Sequence, residues 1–138
     1  MTKIIITTDF SKDSKYTLEY VLNFMCKTQM PCKLLLLNTF MVQETDPKQV
    51  ILLNDELKKK SKEGLERERA EALDKNPNPN ITIELNSQMG SLKNVVRSLL
   101  LNDKFDLVAM GKDGGKHVEQ IAALLKQIRC PLLITYHE

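Results

Sequence analysis

The chain has 138 residues, 42% of them hydrophobic, which fits one soluble domain over residues 1–138 with a core of its own. Twenty basic against 18 acidic side chains leave a net charge of +2, and with four phenylalanines, three tyrosines and no tryptophan there is no basic, ring-bearing surface for nucleic acid. No apolar run nears the roughly 20 residues that span a bilayer, and Met1, Thr2 and Lys3 lead into a strand pattern without a secretory signal, so no membrane association and a cytoplasmic location are expected.

Ile4, Ile5, Ile6, Thr7 and Thr8 form the first strand-like run. Leu18, Val21, Leu22 and Met25 then recur at helical spacing behind a cap supplied by Ser11, Asp13 or Ser14. Residues 34–37 are a second buried-strand run. Residues 48–75 read as a long charged helix with a thin stripe at Val50, Leu53, Leu57 and Leu65; Glu66, Arg67, Glu68 and Arg69 fall on its solvated face, and Gly64 loosens it midway. Asn76, Pro77, Asn78, Pro79 and Asn80 stop that helix. Strict alternation over residues 81–85 predicts a half-exposed strand at a sheet edge.

Leu92, Val95, Val96 and Leu99 give a helix capped by Ser91, and residues 107–110 give a fourth strand. A glycine-bearing turn at residues 111–115 leads into a helix striped by Val118, Ile121, Ala122, Leu125 and Ile128, and residues 132–135 close the chain as a fifth strand. This alternation predicts an α/β, doubly wound, mostly parallel sheet with helices on both faces. The last β-α-β unit points to ligand binding at its turn. Cys26, Cys32 and Cys130, odd in number and without Cys-x-x-Cys spacing, are expected to be reduced and buried as small hydrophobes. No His, Cys, Asp or Glu cluster has metal-ligand spacing, so no metal site is expected.

Lys3 to Ser11 (K-I-I-I-T-T-D-F-S), the run 34–38, Met89-Gly90, residues 106–111 (D-L-V-A-M-G) and Cys130-Pro131-Leu132-Leu133-Ile134 together resemble a universal stress protein along the whole chain. The resemblance implies five parallel strands in the order 3-2-1-4-5, a homodimer through the fifth strand, and in many members an adenine nucleotide, ATP with Mg²⁺ or AMP, over the strand ends. Thr8, Asp9 and Thr39 match positions beside the base and ribose. Gly111 and Gly114 match the turn that meets the phosphates, and Met110, Lys112 and Gly115 beside them are further candidate ligand-binding residues.

The phosphate end departs from the family pattern. Gly111 and Gly114 supply its first two glycines, but the glycine-hydroxyl pair expected nine residues on is Leu124-Leu125, or Val118-Glu119 when counted back from Cys130-Pro131. Lys112 and Lys116 either compensate in part or are ordinary surface lysines. Gly114 and Gly115 also serve simply to make a tight turn, and Asp9 also serves to cap the first helix.

The expected function is therefore a non-enzymatic stress-response module that works as a homodimer through protein partners, with nucleotide binding weak or lost. The alternative is an adenine-nucleotide sensor built on the same crevice. An enzyme is the least favoured reading, since no Walker motif, nucleophile elbow or Ser-His-Asp set is visible. A phospho-receiver is disfavoured because Asp9 lacks an acidic neighbour and the third strand ends in Asn86-Ser87.

Overall fold

The computed structural model describes residues 1–42, 46–112 and 116–136. In chain order it contains β1 (Thr2–Thr7), α1 (Lys12–Thr28), β2 (Cys32–Phe40), α2 (Pro47–Lys75), β3 (Ile81–Met89), α3 (Leu92–Asn102), β4 (Leu107–Gly111), α4 (Lys116–Ile128) and β5 (Leu132–Thr135). The strands form one all-parallel sheet in the order β3-β2-β1-β4-β5, as the family resemblance implied.

Continuous apolar strands need cover on both faces, and each face has its own helix pair. Ile4, Ile6, Leu34 and Leu36 point to one side, against Leu18, Val21 and Leu22 of α1 and Leu65 of α2. Ile5, Leu37, Val108 and Met110 point to the other, against Val96 of α3 and Ile121 and Leu125 of α4. Only β3 alternates: Ile81 and Ile83 are buried while Thr82 and Glu84 are exposed, as fits its place at the sheet edge.

The caps follow local chemistry. Ser11 caps α1 by accepting a hydrogen bond from the Ser14 amide, and Ser91 caps α3 by accepting from the Asn94 amide. Gln29 and Arg129 adopt left-handed backbone conformations just past α1 and α4, with the Cys130 amide turning back to the Leu125 carbonyl.

Several expectations are corrected. β3 runs on to Met89, because Asn86 to Met89 pair with residues 37–40 of β2 despite their polarity. In α4, Leu124 is buried and Ala122 exposed, so the apolar stripe is Ile121, Leu124, Leu125. Cys26 is exposed, one residue beyond the buried Met25 on α1, while Cys32 is buried and Cys130 half-buried. In α2, Val50, Leu53 and Leu57 are only half-buried; the sheet-facing positions are Ser61, Leu65, Glu68 and Ala72. Glu68 thus lies in the core and not on the solvated face. Gly64 does not loosen the helix: the Phe10 ring packs where a Cβ would stand, 2.6 Å from two ring carbons.

No described helix is long and apolar enough to cross a membrane, and no described group of His, Cys, Asp and Glu is arranged to hold a metal ion.

Candidate functional site

β1 and β2 are followed by helices on one face, β3 and β4 by helices on the other. The order therefore reverses between β1 and β4, and the crevice at their carboxyl ends is the usual ligand position in open parallel sheets. It is a cleft of about 160 Å³ lined by residues that include Thr8, Asp9, Thr39, Met110 and Gly111. Five of the expected site residues thus meet there. Lys112 is not part of the lining; it is exposed, with its ammonium 5.4 Å from the centre of the Tyr136 ring. Gly114 and Gly115 lie outside the described residues, as does the side chain of Lys116.

The exit of β1 is tightly wired. Thr8 is buried; its Oγ1 donates to Glu68 Oε1 at 2.9 Å and accepts the Phe10 amide at 3.0 Å. Asp9 Oδ1 accepts from the Ser11 amide at 3.0 Å and from Ser14 Oγ at 2.7 Å. Burial pushes the Asp9 carboxyl up, but the bonds from Ser11 and Ser14 outweigh it and leave it below its ordinary 3.8. Phe10 sits at a φ of 67°, a left-handed conformation that turns the chain from the strand into α1 and directs the ring toward Gly64.

Across the crevice, Gly111 ends β4 where its backbone meets α1. A Cβ there would stand 3.2 Å from Asp13 Cβ and 3.3 Å from the Asp13 carbonyl, so glycine permits this approach. Beneath the rim a chain of polar groups links the exit of β1 to β2, α2 and β3. Asn38 Nδ2 donates to the Thr8 carbonyl at 2.8 Å, Ser61 Oγ donates to Asn38 Oδ1 at 2.6 Å, and Ser87 Oγ donates to Ser61 Oγ at 2.6 Å.

Ser14, Asn38, Leu92 and His117 also line the cleft and were not singled out as site residues from sequence. Asn38 carried a faint signal, a polar residue closing an otherwise apolar strand run; Leu92 and His117 carried none, since α3 and α4 reach the crevice only through the topology. At the positions counted back from Cys130, Val118 packs into the core beside Ile121 and Glu119 is exposed in the first turn of α4. Chemically the crevice offers hydroxyls, a carboxylate already bonded to its own loop, and the backbone of Gly111.

No protein-family model and no curated protein sequence matches the chain. Solved structures match it over nearly its whole length. A universal stress protein family member from Burkholderia pseudomallei superposes with a TM-score of 0.74 at 15% identity, over 97% of this chain and 95% of that one. One from Arabidopsis thaliana with AMP bound gives 0.70 at 17%, over 100% and 93%. A universal stress protein from Archaeoglobus fulgidus in complex with dAMP gives 0.59 at 10%, over 97% of each chain. The chain has the fold of the universal stress proteins.

Proposed function

We propose that this chain is a universal stress protein that works in the cytoplasm as a non-enzymatic stress-response module, a homodimer acting through protein partners with adenine-nucleotide binding weak or lost. The observation that carries the reading is the internal satisfaction of the crevice: Asp9 is bonded to Ser11 and Ser14, and Thr8 to Glu68. A ligand that takes Asp9 Oδ1 or the Thr8 hydroxyl must share or displace these bonds, which cancels part of what it would gain and leaves it Asp9 Oδ2 on an exposed side chain. The cleft of about 160 Å³ is also smaller than the roughly 300–1,000 Å³ typical of small-molecule sites. Val118 turns its side chain into the core and stands where the family pattern has a glycine against phosphate. For the dimer, β5 has an unpaired outer edge whose N–H and C=O groups fit a second copy related by a twofold axis.

The AMP and dAMP held by two of the neighbours favour a second reading, a nucleotide sensor. In it Asp9 takes the ribose or base, Thr8 and Thr39 flank it, and Met110, Gly111, Lys112, Gly114 and Gly115 meet the phosphates, with Mg²⁺ if the ligand is ATP.

Titration calorimetry with ATP, ADP and AMP plus Mg²⁺, with light scattering on the same sample, separates the two. The first reading expects a dimer and no saturable heat at micromolar ligand. Micromolar affinity abolished by Asp9→Ala would establish the sensor instead, and a monomer mass at working concentration would remove the dimer.

A further inference from the structure

α2 presents Ser61, Leu65, Glu68 and Ala72 to the core, so a carboxyl group occupies a place where the helical spacing calls for an apolar side chain. Glu68 is 3% exposed. Its Oε1 accepts the Thr8 hydroxyl at 2.9 Å, and its Oε2 is buried with no hydrogen-bond partner. As a carboxylate it would bury a charge with half its acceptors unmet; as the neutral acid it keeps the Thr8 bond and loses the charge. Burial accordingly lifts Glu68 from 4.5 to about 7, opposed by the Thr8 hydrogen bond and by Lys15 and reinforced by Asp9 and Glu71.

The charged groups around it offer an alternative arrangement for the ionised form. Two clefts, of about 240 and 160 Å³, meet at Glu68. Lys15 of α1 borders both; Lys60, Glu63 and Arg67 border the first, and Glu19, Glu71 and Lys75 the second. Lys15 Nζ lies 3.7 Å from Glu71 Oε2 in a half-exposed pair, and Lys75 is held by Glu19 at 2.9 Å. A negative Glu68 therefore competes with Glu71 for Lys15, and the exposed Lys15–Glu71 pair is a weak competitor.

We infer that Glu68 is a proton-operated latch between α2 and the exit of β1: with its proton it seals the α1–α2 seam against Thr8, and without it the carboxylate draws Lys15 and water into the seam and loosens α2. Thr8 passes the change to the crevice, because it lines the cleft, accepts the Phe10 amide and presents its carbonyl to Asn38. The latch turns over near neutral pH, where ordinary exposed carboxylates stay ionised.

The test compares the full chain with Glu68→Gln by urea unfolding from pH 5 to pH 8, follows amide exchange at Phe10, and titrates the Glu68 carboxyl of the wild type by carbon NMR. The expected result is a folding constant of wild type relative to the variant that falls by tenfold or more, up to about 100-fold, as pH rises through this range. Phe10 protection should fall with it in the wild type alone, and the carboxyl should titrate near 7. A ratio that does not change with pH, or a carboxyl midpoint near 4.5, overturns the latch. If Glu68→Gln does not fold, the wild-type carboxyl titration decides the question by itself.

Discussion

Replacing Gly64 with alanine sets two effects of opposite sign against each other. Gly64 lies inside α2, where alanine is favoured by about 1 kcal/mol on backbone grounds. The new methyl would stand 2.6 Å from Phe10 Cε1 and Cζ and 2.9 Å from Cε2, about 1 Å inside an ordinary carbon contact. The half-buried ring packs against the core cluster on one side and borders a cleft of about 240 Å³ on the other, and its backbone is held at a φ of 67° with the amide bonded to Thr8 Oγ1. Overpacking of this kind costs about 1–3 kcal/mol, so the net change should be neutral to destabilising, by about 0–2 kcal/mol. In a Phe10→Ala background the obstruction is gone and the same substitution should stabilise by about 1 kcal/mol, a coupling of about 1–3 kcal/mol. Denaturant unfolding of the four proteins measures this directly. Stabilisation by Gly64→Ala in the wild-type background, or equal effects in both, would refute the account of why glycine stands at this position.

Asn38→Leu leaves the Thr8 carbonyl without its side-chain donor and the Ser61 hydroxyl without the acceptor for its proton, though Ser61 still accepts from Ser87; a loss of about 2–4 kcal/mol in denaturant unfolding is expected, and a loss below about 0.5 kcal/mol would mean the polar chain is readily hydrated. Asp9→Ala should cost about 1–2 kcal/mol at pH 7 through the bonds from Ser11 and Ser14. Because the folded carboxyl sits below 3.8, its contribution is present above that value and disappears as pH falls through the folded value. Unfolding curves of wild type and Asp9→Ala should therefore converge at the acid end. Glu68 acts in the opposite sense, since its raised value removes stability as pH climbs from 4.5 towards about 7. Up to about 3 kcal/mol is at stake in that window, reduced to nearer 2 by water and counter-charges in the two adjoining clefts.

The strands and the caps at Ser11 and Ser91 were legible because each rests on short-range chemistry or on hydrophobic period, while the strand order came from family resemblance alone. Asp9, Thr39 and Gly111 were legible as neighbours only once the order of strands was supplied by family resemblance. Glu68 was not legible. In one dimension a buried acid in Glu-Arg-Glu-Arg has the same signature as its exposed neighbours Glu66 and Arg67, and only the turn of α2 against the sheet distinguishes it. Gly64 was misread for a related reason: its partner Phe10 lies 54 positions away, so the helix sequence alone suggests looseness where the fold has a contact. Cys26 shows the limit from the other side, since a step of one residue along α1 turns a side chain by about 100°, from core to solvent.

α2 is 29 residues long, about 43 Å of helix, whereas the longest strands have nine residues and span about 30 Å. Its last turn is tied near the start of the sheet, where Lys75 reaches Glu19 and the loop at Asn78 leads into β3. The surplus of about 13 Å therefore extends past the strand ends on the crevice side, carrying the exposed side chains Ile51 and Leu52 with it. No residue of α2 lines the crevice, so this projecting end stands outside the cleft itself. Ile51 and Leu52 are thus an aliphatic pair offered to solvent on a stretch of helix that has no strand beneath it.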